Sequence, residues 1–159
     1  MAGQKFKGKV VAPNFNLGGA DLKFASVVIT NAQLKALRAT PKQLVPAPGA
    51  GKVLEFVSAV LQLKAGANVL TETADNLGIK YNNGAGVQVS EDIETTGFLD
   101  QAADTITYAQ TKLNPIVACA NAANKALVLH NTGDGEYGGD AANDAKLVVY
   151  VTYHVHTLA

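Results

Sequence analysis

Apolar and polar positions alternate with a period of two over most of this chain, and the alternation stops at clusters of Gly, Pro and Asn. The longest such run is VLEFVSAVLQLK, residues 53–64. Leu54, Phe56, Ser58, Val60 and Gln62 fall on one parity, and Val53, Glu55, Val57, Ala59, Leu61 and Leu63 on the other. Both faces are partly apolar, as in a central strand of a sandwich covered on both sides for part of its length. A helix competes for so many Leu and Ala, but the PAPGAG turn before the run and Gly66 after it favour a strand. The run AKLVVYVTYHVHT, residues 145–157, is cleaner still. It sets Leu147, Val149, Val151, Tyr153 and Val155 on one face, with Lys146, Val148, Tyr150, Thr152, His154 and His156 on the other.

The remaining elements follow from the same pattern. Residues 25–30 are β-branched and predict a strand. Thr30 or Asn31 can cap a short helix whose Leu34 and Leu37 share a face, and Thr40-Pro41 ends it because a residue before proline disfavours helical geometry. Gln43-Leu44-Val45 is a short strand that Pro46 and Pro48 confine to an edge or a turn, since proline has no ladder donor. LGIKY, NNGAG and VQV (residues 77–89) predict a hairpin from their turn chemistry. Residues 90–101 are acidic without alternation and read as a loop or a single helical turn. DTITYA (104–109) and KALVLH (125–130) are strands, and NTGDGEYGGDAAN (131–143) is a long turn-rich loop. About eight strands with one short helix exclude alternating β-α-β units and fit a mainly β fold. The architecture expected is an antiparallel, jelly-roll-like β-sandwich over residues 25–159. Residues 1–24, apolar in places but without a period, read as an extended N-terminal arm.

Composition sharpens this picture. At 159 residues the chain is one domain that can bury roughly 70% of its unfolded surface without disulfide or metal staples. Only 16% of residues are charged, so its surfaces are unusually neutral and suit packing against other subunits. Net charge is zero, which argues against nucleic acid as a partner. Residues 1–24 hold Lys5, Lys7, Lys9 and Lys23 against Asp21, a basic arm on a mildly acidic body. No apolar stretch approaches a membrane span or a secretion signal, so the expectation is a soluble chain made in a cytoplasm. The lone Cys119 cannot form an intrachain disulfide and reads as a small buried hydrophobe.

The candidate chemistry is thin. PAPGAGKV (46–53) ends like a phosphate-binding loop, but Pro46 stands at the first glycine position and Val53 at the hydroxyl position, with a strand following. His154 and His156 share a strand face and with His130 could form a three-nitrogen zinc site, although no acid or thiol lies near them in sequence. Asp134, Glu136 and Asp140 could gather around Ca²⁺, but their spacing follows no known calcium loop, and a solvated loop tip is the plainer reading. The acids at Glu91, Asp92, Glu94, Asp100 and Asp104 lack the Trp platform of a sugar-cleaving site. None of Ser26, Ser58 and Ser90 sits in a G-x-S-x-G elbow. The expectation is therefore no enzyme and no cofactor.

The order ITNAQLKALRATPKQLVPAPGAGKVLEF, then LGIKYNNGAG, then a terminal KLVVYVTYHV strand, resembles small structural proteins of tailed bacteriophages. In those proteins an I-T-x-A-Q-[IL]-K-x-L-x-x-T-P segment leads into L-V-P-A-P-G-x-G-K. The resemblance is strong over residues 27–63, moderate over 77–89 and by pattern alone over 125–155; it does not reach residues 1–24. It implies the capsid decoration, or cement, family: a virion structural protein on the capsid surface that binds the major capsid protein at capsomer junctions. It also implies a homo-oligomer, trimer or dimer, without nucleic acid or membrane partners. Tail, head-fibre or baseplate components and a carbohydrate-binding jelly-roll module for host attachment are the alternatives. Under this reading the capsid contacts are Lys5, Phe6, Lys7, Lys9 and Phe15 of the arm and Pro46, Pro48 and Gly49 of the turn.

Overall fold

The computed structural model describes residues 21–72 and 75–159. Strand β1 (Lys23–Ile29) passes into helix α1 (Asn31–Leu34) through Thr30. The Thr30 hydroxyl accepts from the Gln33 backbone N–H, and the Gln33 side chain accepts from the Thr30 N–H, a reciprocal capping box. Leu34 and Leu37 are both fully buried, so the face read from their spacing is the one that packs. Lys23 and Phe24, assigned by the sequence to the arm, already pair with Tyr153 and Thr152.

Then come β2 (Lys42–Val45), β3 (Lys52–Lys64), β4 (Leu70–Thr71), β5 (Leu77–Tyr81), β6 (Thr105–Gln110), α2 (Cys119–Ala122), β7 (Leu127–Asn131), β8 (Gly138–Gly139) and β9 (Lys146–Thr157). One sheet runs β1-β9-β3-β6 and a second β2-β7-β5, while β4 and β8 pair separately. Every pairing is antiparallel. The hairpin expected at residues 77–89 forms: Val89 N–H donates to Ile79 O (2.8 Å) and Tyr81 N–H to Val87 O (3.0 Å). Its return arm thus extends the second sheet beyond β5. With β4 and β8 set aside, the eight segments in chain order interleave as 1-8-3-6 and 2-7-4-5, the interlocked Greek keys of a jelly-roll sandwich. β2 is an edge strand, as its flanking prolines require.

β3 lies inside its sheet, but its two apolar faces have a different origin from two-sided coverage. The register with β9 slips between Phe56 and Ser58, which pair with the adjacent residues Tyr153 and Thr152. Val57 is the extra residue of a β-bulge, and it resets the parity. Leu54 and Phe56 before it, and Ala59, Leu61 and Leu63 after it, all turn into one core. They meet Ile29, Leu147, Val149 and Val151 of the same sheet and Leu44, Leu77, Ile79, Leu127 and Leu129 of the other. The acidic stretch after the hairpin is a loop that adds Ile93, Phe98 and Leu99 to this core.

In the long loop between β7 and β9 Asp134 and Glu136 are exposed, as a solvated tip would have them, but the loop is anchored to the body and Asp140 is buried. The Asp75 carboxylate accepts from the backbone N–H groups of Asp134 and Gly135 (3.1 Å each), and the buried Tyr137 hydroxyl donates to Asp75 O (3.0 Å). Burial, with the Asp75 charge beside it, raises the Tyr137 pKa strongly, so this phenol stays protonated as a donor. Asp140 is also buried and accepts from Asn31 Nδ2 (2.6 Å) and Ala145 N–H (2.9 Å), tying the loop to the capped helix.

Candidate functional site

Lys5, Phe6, Lys7, Lys9 and Phe15 lie outside the described residues. Pro46, Pro48 and Gly49 form a corner between β2 and β3, with Pro46 and Gly49 exposed and Pro48 half-buried. Gly49 (φ +101°) and Gly51 (φ +69°) adopt backbone angles that other residues resist, which is why this corner needs them. Gly49 N–H donates to the Asn124 side chain (2.9 Å), Asn124 N–H to Lys52 O (2.8 Å) and Leu158 N–H to Gly51 O (2.8 Å). The corner is therefore fixed at one end of the sandwich, beside the exit of α2 and the last residues of β9.

The segment leading to α2 shares that end and was not singled out by sequence. Leu113 is 81% exposed and Ile116 99% exposed, around Asn114 in a left-handed conformation (φ +51°). The Asn114-Pro115 step was the available signal, since it makes a protruding turn. Cys119 is exposed rather than buried, because only Ala122 of α2 reaches the core.

A second surface missed by sequence is the outer face of the four-stranded sheet. Phe24 is 72% exposed, Tyr108 65%, Val28 53%, Ile106 52% and Tyr150 45%. Cross-strand register places Ser26, Tyr150, Val60 and Tyr108 in one row and Val28, Val148, Gln62 and Ile106 in the next. A third row holds Phe24, Thr152, Ser58 and Gln110, and none of the twelve residues carries a charge.

The residues weighed for metal or catalysis are dispersed. His130 lies on β7 of the other sheet, lining a shallow cleft with Arg38, Gly84 and Glu136, whereas His154 and His156 lie on β9. Burial, then the Lys80 charge, push the His130 pKa down. His156 contacts Glu55 across the sheet (2.6 Å). Glu136 accepts from the backbone N–H groups of Arg38 and Ala39 (3.0 and 2.7 Å), far from the role of Asp140. Among the described residues no group of three or more His, Cys, Asp or Glu could hold a metal ion. Nor is any helix among them long and apolar enough to cross a membrane. Residue 52 opens a strand, so no helix N-terminus stands behind PAPGAGKV to receive a phosphate.

Fold and surfaces together define an antiparallel β-sandwich whose prominent features are apolar faces and fixed corners. No protein-family model matches the chain. No curated protein matches it either. Among solved structures it is similar to a chain of the cyanophage Pam1 capsid asymmetric unit, with 16% identity and a TM-score of 0.43 over 96% of this chain and 97% of that one. The sandwich description rests on the strand pairing itself and not on that overlap.

Proposed function

We propose that this chain is a virion structural protein that decorates and stabilises a phage capsid. It binds the major capsid protein at capsomer junctions as a homo-oligomer and has no catalytic role and no cofactor. The observation that carries the reading is the end of the sandwich where Leu113 and Ile116 stand in water beside the pinned Pro46–Gly49 corner. Apolar side chains this exposed gain by leaving water on docking, and modest contacts become strong when many copies engage one shell. The sequence resemblance over residues 27–63 supports the same role, and the basic residues Lys5, Lys7 and Lys9 would add contacts with the capsid protein.

The test is to add purified protein to expanded capsids that lack it and to measure occupancy and the temperature of capsid disruption. Binding with a raised disruption temperature is expected. The double variant Leu113→Ser, Ile116→Ser, and separately removal of residues 1–20, should each lower occupancy at least tenfold. No binding by the wild-type protein would overturn the assignment.

A further inference from the structure

We propose that the outer face of the four-stranded sheet is where two copies of this chain pack together, sheet on sheet, in a twofold dimer. This face gives the homo-oligomer of the proposed function its interface, while capsid occupancy tests the capsid contacts separately. Five side chains of this face, Phe24, Val28, Ile106, Tyr108 and Tyr150, leave about 500 Å² of largely apolar surface in water. That already matches the largest patch on an ordinary monomer, and such patches mark interaction sites. With the half-buried Val60, Val148 and Thr152 and the rest of the three rows, the face approaches the roughly 800 Å² per partner that a stable interface requires. It is the pleated face of a sheet, the shape that a second sheet fits at about 10 Å spacing.

Charge at the two ends of the face specifies a second copy and its orientation. At one end Lys64 and Lys146 stand directly opposite each other on β3 and β9, an unfavourable like-charged pair. Asp104 bonds Lys64, while Lys146 is exposed. At the other end Glu55 stands opposite His154 and contacts His156. A twofold axis across the strands lays the Lys146 end of one copy over the Glu55 end of the other, twice per dimer. A self-complementary arrangement of this kind is what an isologous interface demands.

Sedimentation velocity of the full chain between about 5 and 100 µM tests the proposal. The wild-type protein should sediment as a dimer. Ile106→Asp and Tyr108→Glu, each at an exposed site on the edge strand β6, should sediment as monomers with unchanged far-UV circular dichroism, while Leu113→Asp should stay dimeric. Lys146→Glu should weaken dimerisation about tenfold, and adding Glu55→Lys to the same chain should restore it. A monomeric wild type, whether its face is bare, covered by residues 1–20 or reserved for a different protein, overturns the proposal. So does a dimer that survives both β6 substitutions. Failure of the double charge reversal to restore affinity overturns the end-over-end orientation.

Discussion

Deleting Val57 should leave the sandwich folded, whereas inserting one alanine between Val60 and Leu61 should unfold it. Val57 is the bulge residue, and Phe56 and Ser58 on either side already face adjacent residues of β9. Its removal therefore closes β3 into a regular ladder in which Leu54, Phe56, Ala59, Leu61 and Leu63 keep their inward parity. The losses are one half-buried valine side chain and the bond from the Thr111 hydroxyl to Val57 O (3.0 Å). Together these amount to about 2–3 kcal/mol, or a fall in Tm of roughly 5–10 °C for a domain of this size. An alanine inserted between Val60 and Leu61 has no such spare place on β9 and turns Leu61 and Leu63 outward, and both are essentially fully buried. Each costs about 2–5 kcal/mol by analogy with Leu→Ala substitutions, so the pair consumes most of the roughly 5–15 kcal/mol that holds a domain together. Thermal melts followed by circular dichroism, with soluble yield as a second readout, separate the two cases. If both variants unfold the protein equally, or the insertion is the milder, the parity argument is wrong.

Two further outcomes follow from the buried polar groups. Asp140→Ala leaves Asn31 Nδ2 and the Ala145 N–H without their acceptor in a buried site, costing about 2–5 kcal/mol; Asp140→Asn keeps an acceptor and tolerates the φ of +40°, so its Tm should lie well above that of the Ala variant. His130 should destabilise the fold on acidification. Its folded pKa lies below the ordinary value of 6.5, so its contribution is complete above that pH and is lost as pH falls through the lower folded value. His130→Gln should reduce the difference in urea midpoint between pH 7 and pH 5, and an unchanged difference would refute the assignment.

Much of the sandwich was legible because its signals are local. The capping Thr30, the stop at Pro41, the edge strand before Pro46, the Asn82 turn and the alternation of β9 each follow from one or a few neighbouring residues, and each appears where expected. The surfaces were less legible. Periodicity shows that a strand has two faces but not which one the fold covers. In β6 the large residues Ile106 and Tyr108 face water while Thr105, Thr107 and Ala109 face inward, because the small residues fit beneath a strand held by β3.

The stretch from Val53 to Lys64 shows the same division most clearly. The sequence favoured an extended interior strand there over a competing helix, because the PAPGAG turn before the run and Gly66 after it bound the alternation. Its two apolar parities could not reveal a bulge, because an extra residue has meaning only against the partner strand that skips it. Likewise Asp134, Glu136 and Asp140 looked like a solvated set in sequence, yet packing gave them separate uses: a backbone tether at Asp75, a bond to the turn after α1, and a buried bond to Asn31. Local stereochemistry is written in neighbouring residues, whereas exposure, pairing register and the partners of buried polar groups arise from contacts between residues as far apart in the chain as Lys23 and Tyr153.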